Sequence, residues 1–288
     1  MRTSKNWTDY QLLDAGDKEK LEKIKDTIIQ RPDPVALWNK SNPTLWKQSD
    51  ATYIRSNQGG GQWQKHKKIK EHVDIRYDDM VFICSLTNFK HIGLFPEQAV
   101  NWDWIKETIT NSSKTQIKAL NLFGYTGAAT VALARLDQVS EVVHVDAAKG
   151  MVAWCKNNIK KNKLEHKKVR YLVDDVTKFV QREIRRENTY DIVILDPPSY
   201  GRGPNNEIWK IEDQLMDLLH NIKKLLSKQP MFVILNSYTS NLSPTMIENI
   251  MHDVFNDGEI LADEIGISYH DSSRVLPAGV CGIWQASK

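Results

Sequence analysis

Residues 119–127 read ALNLFGYTG, and this stretch decides the fold. Ile117, Ala119, Leu120, Leu122 and Phe123 make a short apolar run of the kind that fills a buried strand. The run stops at a tight turn carrying Gly124 and Gly127, and residues 128–136, AATVALARL, follow at once with helical composition. Strand, glycine turn and helix in that order bring backbone N–H groups and the positive end of a helix to the tip of a sheet. Glycine at such a turn lets the backbone approach a ligand more closely than a side chain permits. A βα unit that binds nothing also uses glycine there, so the residues at fixed distances downstream carry the reading.

The next apolar run, EVVHVD, ends in Asp146, nineteen residues beyond Gly127. An acid at that place accepts from both ribose hydroxyls of a nucleotide-like ligand seated on the glycine turn. The third run ends in YLVDD. One of Asp174 and Asp175 is expected to cap the helix that follows, and the other to accept a proton from an adenine amine. Asp175 is favoured as the ligand residue. The fourth run ends in DIVILDPPSYGRG. Two prolines after an aspartate fix φ, remove two donors and stiffen the backbone, so Asp196, Pro197 and Pro198 read as an active-site loop at the mouth of the sheet. Beyond them Tyr200 can stack on a flat substrate, and Arg202 can hold a phosphate or a base edge.

Outward from these motifs, the chain after about residue 101 alternates strands and helices, the mark of an α/β domain with a parallel sheet. Helices are expected at 102–111, 126–136, 149–161, 176–187, 207–226 and 243–255. Strands are expected at 117–123, 141–146, 169–173, 190–195, 230–236, 260–268 and 280–285. Residues 1–98 differ: short alternating runs at 10–13, 26–31, 51–55, 72–77 and 80–86, broken by turn residues, predict a small β-rich domain. Residues 31–38, RPDPVALW, predict a short helix. Gly59, Gly60 and Gly61 lead into QWQKHKKIK, which reads either as a solvated hairpin or as a phosphate contact with Trp63 stacking on a base. The domain division expected is therefore 1–98 and 99–288.

The 288 residues are enough for a large core without covalent staples. Their formal net charge is only +3, so nucleic-acid affinity has to come from local patches. No apolar run reaches the ~20 residues needed to span a bilayer, and the first residues lack the apolar core of a secretory signal. Three widely spaced cysteines, Cys84, Cys155 and Cys281, fit a reducing compartment, and a cytoplasmic location is expected.

As a set, ALNLFGYTGAA, VDAAKGMVAWCKNN, VDDVTKF and LDPPSYGRG resemble the motifs of class I S-adenosylmethionine-dependent methyltransferases. The branch they are most similar to is the one related to bacterial 23S rRNA large-subunit methyltransferases, with its FxYTG turn. The resemblance extends to GLFPEQ upstream and to RVLPAG and IW downstream. It implies a Rossmann-like domain with a seven-stranded, mostly parallel sheet and a final antiparallel hairpin, preceded by the β-rich domain. It also implies that S-adenosylmethionine is the cofactor. Asn121, Phe123, Gly124, Tyr125 and Gly127 would surround its methionine end, Asp146 its ribose and Asp175 its adenine amine, with Gln98 a further contact. Asp196 would face the methyl group and the target atom. A nicotinamide cofactor is disfavoured, because its GxGxxG spacing is missing from this turn.

One departure bears on the chemistry. Relatives that methylate carbon 5 of cytosine place a nucleophilic cysteine after the fifth strand, where this chain reads ILNSYTSN. Serine is too weak a nucleophile without a base beside it. Transfer to a ring or exocyclic nitrogen of an RNA base, without a covalent cysteine intermediate, is the expectation. A second departure, Ser199 between the two prolines and Tyr200, leaves the choice of nitrogen open. Basic residues at 156–170 and at Arg182, Arg185 and Arg186 read either as solvated helix faces or as a phosphate-tracking rim. Methylation of a protein or a small molecule, or binding without turnover as an RNA assembly factor, are the competing functions.

Overall fold

The computed structural model describes residues 1–4, 6–56, 60–239 and 241–287. The chain divides into two compact units, Met1–Val100 with Ile265–Ala278, and Asn101–Glu264 with Gly279–Lys288.

The first unit opens with β1 (Arg2–Thr3), β2 (Tyr10–Gly16), β3 (Glu19–Ile24) and β4 (Thr27–Pro32). Then come the short helix α1 (Pro43–Trp46), β5 (Ala51–Arg55), β6 (Gly61–Lys65), β7 (His72–Tyr77) and β8 (Met80–Ser85). Strands β2 to β6 form one five-stranded sheet in chain order, antiparallel except for the parallel β4–β5 pair. Strands β7 and β8 form a separate antiparallel pair whose residues Met80, Phe82 and Cys84 alternate into the interior. β1 pairs in parallel with Ile265 and Gly266.

Two of these strands escape the sequence pattern. β3, EKLEKI, looks solvated, yet Glu22 is fully buried where Arg31 Nε and Nη2 and the Tyr10 hydroxyl donate to it. Burial raises the Glu22 carboxyl, and Arg31 overrides it, holding the pKa at about 2. β6, expected as loop or hairpin, is paired along its length with β5, and Trp63 lies edge-on to Tyr53 at 5.3 Å. Gly59 lies outside the described residues. The helix expected in RPDPVALW does not form. Asp33 N–H donates to Lys18 O at 2.7 Å and Trp38 Nε1 to Ala15 O at 2.7 Å, so bonds to distant strands set that loop.

The second unit carries the α/β pattern. After a 3-10 turn at Pro96–Gln98, the elements are α2 (Ala99–Thr110), β9 (Ile117–Leu122), α3 (Ala128–Ala134) and β10 (Val139–Asp146). They continue with α4 (Lys149–Lys161), β11 (Val169–Val173), α5 (Val176–Arg185) and β12 (Ile192–Leu195). A hairpin of β13 (Tyr200–Arg202) and β14 (Ile208–Lys210) precedes α6 (Ile211–Lys224), β15 (Phe232–Ser237), α7 (Pro244–Val254), β16 (Glu259–Ser268) and β17 (Val275–Gln285). The sheet order is β16-β17-β15-β12-β9-β10-β11, with β1 outside β16. β15, β12, β9, β10 and β11 run parallel, and β17 returns antiparallel to β15. This is the Rossmann-like arrangement expected, with β1 as an eighth strand.

Packing explains the arrangement. β12 and β15 are buried at every residue, as strands covered on both faces must be. Leu120, Val143, Val193 and Val233 meet Phe179, Leu218 and Met251 of the covering helices in one core. At ~25 cal/mol per Å2 of apolar surface removed from water, such a core is the main stabilising contribution. The connection reverses between β9 and β12: β9 leads outward to β10 on one side, while β12 pairs on the other. That is the topological switch point, and the crevice outside the carboxyl ends of its strands is where such sheets bind ligands.

The sequence expectation fails at the start of α6. Residues 208–210 are strand rather than the first turn of a 207–226 helix, because Pro204, Asn205 and Asn206 turn the chain back onto Tyr200–Arg202. Asn206 adopts a positive φ of 63°, and Gly203 N–H donates to Glu207 O at 2.8 Å to close the turn.

Candidate functional site

Three of the five residues of the β9–α3 turn are left-handed: Phe123 (φ 54°), Tyr125 (φ 50°) and Gly127 (φ 82°). That conformation strains a phenylalanine and a tyrosine, so it persists only where the surroundings impose it. Gly124 N–H donates to Val145 O at 3.0 Å, Tyr125 N–H to Asp146 Oδ2 at 2.8 Å and Gly127 N–H to Gly124 O at 2.9 Å. A Cβ at residue 124 would lie 2.5 Å from the His144 ring, and one at residue 127 would overlap the Cys155 side chain. The two glycines thus let β10 and α4 close onto the turn.

Beneath it runs a buried polar chain. Asn121 Nδ2 donates to Thr130 Oγ1 at 3.0 Å, and Thr130 Oγ1 is bonded to His144 Nδ1 at 2.9 Å. Burial pulls the His144 imidazole down to about 4, so the ring is neutral, and burial pushes the Cys155 thiol up to about 12. Asn121 therefore sits under the turn, 3% exposed, with its amide engaged.

The acids stand along the sheet edge. Asp146 ends β10 half-buried, its Oδ1 accepting Ala148 N–H and its Oδ2 accepting Tyr125 N–H, each at 2.8 Å. Burial raises its pKa against the opposing pull of those two N–H groups. Asp175 caps α5, its Oδ1 accepting Lys178 N–H at 2.9 Å. The expected split between one capping and one binding aspartate does not hold as drawn. The residue favoured for binding is itself the cap, and Asp174 is engaged by Arg182. Capping uses one oxygen, and Asp175 Oδ2 faces Gly203, where a Cβ would lie 3.0 Å away.

After β12, Asp196 N–H donates to Leu122 O at 3.4 Å, which brings the aspartate beside the β9 turn. Asp196 is half-buried, Pro197 buried and Pro198 exposed. Tyr200 (53% exposed) and Arg202 lie on the β13–β14 hairpin with their side chains toward solvent. Gln98 is half-buried in the 3-10 turn of the first unit.

Sequence reasoning missed Trp209. Its Nε1 donates to Pro198 O at 2.6 Å, and its ring, 5% exposed, packs on Phe123 with centroids 5.1 Å apart. One side chain thus joins the Asp196-Pro197-Pro198 loop to the glycine turn. Lys178 Nζ donates to Glu207 at 2.7 Å, and Ser199 Oγ is bonded to Thr239 Oγ1 at 2.7 Å, which tie the hairpin to α5 and to the loop after β15. The available signal was the turn cluster GRGPNN between two short runs, which marks a hairpin.

All three cysteines are buried. In the place expected for a nucleophile, Asn236 Oδ1 accepts from Asn101 Nδ2 at 3.0 Å, and Asn101 Oδ1 in turn accepts from the Cys281 thiol at 3.4 Å. Much of the basic run is paired: Lys167 with Asp137, Lys168 and Arg170 with Glu141, Arg186 with Glu183. That pairing favours the solvated-face reading for those residues. Among the described residues no cluster of three His, Cys, Asp or Glu side chains is arranged to hold a metal ion, and no helix is long and apolar enough to cross a membrane.

Comparison with known proteins agrees with this geometry. The sequence model of the S-adenosylmethionine-dependent methyltransferase family matches residues 17–233. A ribosomal RNA large subunit methyltransferase K/L of Syntrophotalea carbinolica is 26% identical over 203 residues, covering 68% of this chain and 27% of its own length. One of Pseudoalteromonas atlantica is 27% identical over 175 residues, covering 60% of this chain and 24% of its own. The chain thus spans about a quarter of the length of these curated relatives. The crystal structure of the SAM-dependent methyltransferase from Agrobacterium tumefaciens superposes with a TM-score of 0.93 at 32% identity, covering 99% of this chain and 93% of that one. A further structure, complexed with SAH, shares the fold at a TM-score of 0.75 and 18% identity, covering 97% of this chain and 76% of that one. With the glycine turn, the acidic strand ends and these matches together, the chain belongs to the S-adenosylmethionine-dependent methyltransferase family.

Proposed function

We propose that this methyltransferase acts on RNA, methylating a ring or exocyclic nitrogen of a base, in ribosomal RNA first of all, with no covalent cysteine intermediate. The observation that carries the reading is the row of carboxylates at the ends of β10, β11 and β12, which converges on the switch point beside Asp196-Pro197-Pro198.

The donor set fits the cofactor. S-adenosylmethionine offers hydroxyl and amine donors on its adenosine half, and a carboxylate has about four lone-pair positions. Asp146 uses one position on each oxygen for backbone N–H groups, so acceptor capacity remains for the ribose hydroxyls. Asp175 keeps Oδ2 for the adenine amine. Asn121 holds the turn from beneath, and Phe123, Gly124, Tyr125 and Gly127 line the methionine end. The bound cofactor supplies a methyl carbon already activated by its sulfonium, so the protein's task is alignment. Positioning of this kind can contribute about 7–11 kcal/mol.

Asp196 and the Pro197 carbonyl accept hydrogen bonds from the base and hold its nitrogen on line. Pro198 is fixed through Trp209, Tyr200 offers a ring for stacking, and Arg202 a guanidinium for phosphate. The burial of all three thiols, with Cys84 and Cys155 both pushed up to about 12, supports direct transfer. The curated relatives are rRNA methyltransferases by name, which supports RNA as the acceptor and a cytoplasmic setting. Residues 1–98 serve as the domain that seats the RNA.

The test is methyl transfer from radiolabelled S-adenosylmethionine to total RNA, with the modified nucleoside identified by mass. Label in an N-methylated base is the expected result, and Asp196→Ala abolishes it while leaving S-adenosylhomocysteine affinity nearly intact. Label confined to protein or small molecules, or a C5-methylated pyrimidine, overturns the reading.

A further inference from the structure

The first unit holds a cleft of about 610 Å3, within the ~300–1,000 Å3 range of small-ligand sites. Trp7 and Tyr10 line one part of it, and residues 267–270 and 272–275 another. The Trp7 ring is half-buried and rigidly seated, 4.7 Å from the Tyr77 ring and 5.5 Å from the Tyr10 ring, with Nε1 donating to Pro96 O at 3.1 Å. Thr3, Ser4, Ser268, Ser272 and Ser273 also line the cleft; the Ser4 hydroxyl donates to Tyr77 Oη at 2.6 Å and the Ser272 hydroxyl accepts Arg274 N–H at 3.2 Å. No lining residue is acidic, and two, His270 and Arg274, are basic.

Arg274 is the more telling of the two. Its guanidinium lies 5.0 Å from the Tyr269 ring and 5.5 Å from the Trp38 ring, and Nη1 donates to Ser41 Oγ at 2.8 Å. Rings and hydroxyl thus hold the guanidinium, and among the described residues no carboxylate forms an ion pair with it; Asp271 on the same turn pairs with His270 at 3.4 Å, and Asp14 accepts the Ser41 N–H behind it. A fixed guanidinium with no ion-pair partner, at the mouth of a cleft lined by aromatic and hydroxyl residues, suits an anion carried on a flat ring. His270, Ser272, Ser273 and Arg274 stand on an exposed turn, which leaves that side open for a strand to enter and leave.

We propose that this cleft binds one unpaired nucleotide of the RNA substrate, with the base against Trp7, the sugar among the hydroxyls and the phosphate on Arg274. The inference rests on RNA as the acceptor and adds a second contact, built around Trp7, Tyr10 and Arg274. Base stacking on a fixed aromatic ring tolerates any sequence, so the cleft contributes affinity rather than choice of target.

The test uses the full chain and a short fluorescein-labelled single-stranded RNA, followed by anisotropy across a salt series. Arg274→Gln and Ser273→Glu each weaken binding by about tenfold. Arg274→Gln also makes the log–log salt slope shallower by about 0.7, the contribution of one phosphate contact on a single strand. S-adenosylhomocysteine affinity, read by calorimetry, stays at the wild-type value and shows that both variants are folded. Ser273 is an exposed turn residue, so its variant does not depend on Arg274's packing. Wild-type affinity and slope in both variants overturn the cleft as an RNA contact while leaving methyl transfer to RNA standing. A wild-type chain that neither binds nor methylates RNA overturns both. Equal affinity for a free nucleoside monophosphate and for the oligonucleotide reassigns the cleft to a free nucleotide and overturns the RNA assignment.

Discussion

Replacing Trp209 with phenylalanine separates the structural from the positioning role of the link between the two motifs. The substitution removes the N–H that donates to Pro198 O at 2.6 Å but keeps a ring against Phe123. A hydrogen bond of this kind contributes about 0.5–1.5 kcal/mol net, and the exposed Pro198 leaves its carbonyl open to rehydration. Adding the smaller ring in a site only 5% exposed, the total destabilisation comes to about 1–2 kcal/mol, roughly 2–3 °C in melting temperature for a chain of this size. Misplacement of a reacting group by about 1 Å costs on the order of a hundredfold in rate. Trp209→Phe is therefore expected to slow single-turnover methyl transfer by about ten- to a hundredfold, with S-adenosylhomocysteine affinity changed by no more than about twofold. The rate is measured well below the variant's melting temperature, where unfolding removes a negligible fraction of enzyme. A transfer rate equal to wild type under those conditions refutes the positioning role and leaves Trp209 as a packing residue only.

Two other perturbations test neighbouring residues. Asp175→Asn keeps a good helix cap, so melting should move by no more than about 2 °C while S-adenosylhomocysteine affinity falls about tenfold; unchanged affinity reduces Asp175 to its cap. The buried His144 ring, pulled down to about 4 from 6.5, is neutral in the folded state, so its contribution is complete above pH 6.5 and is lost as pH falls toward 4. Cofactor affinity and melting temperature should decline together across that window, and in His144→Gln that component should disappear; an undiminished decline in the variant assigns it to other groups.

The strand, turn and helix at 117–136 were legible because β9 carries Ile117, Ala119, Leu120 and Leu122 in a short run and the turn is marked by glycines. The acids at the ends of β10, β11 and β12 were legible for a related reason: each closes an apolar run, and strand direction alone puts all three on one edge. What escaped depends on partners distant in sequence. Glu22 makes β3 look solvated until Arg31 and Tyr10 are seen around it. Residues 208–210 look like the first turn of a helix until Tyr200–Arg202 pair with them, and only that pairing brings Trp209 to Pro198. The choice of cap between Asp174 and Asp175 turned on Arg182, two turns along α5, which engages the first and leaves the second to the helix end.

The most direct test of the grip on the cofactor is calorimetric titration of the full chain with S-adenosylhomocysteine, wild type against Asp146→Ala. Charge-assisted hydrogen bonds contribute about 1.5–3 kcal/mol each, so the account predicts saturable one-to-one binding that weakens by about ten- to a hundredfold in the variant. Equal affinity in the two proteins, or no binding by the wild type, contradicts it.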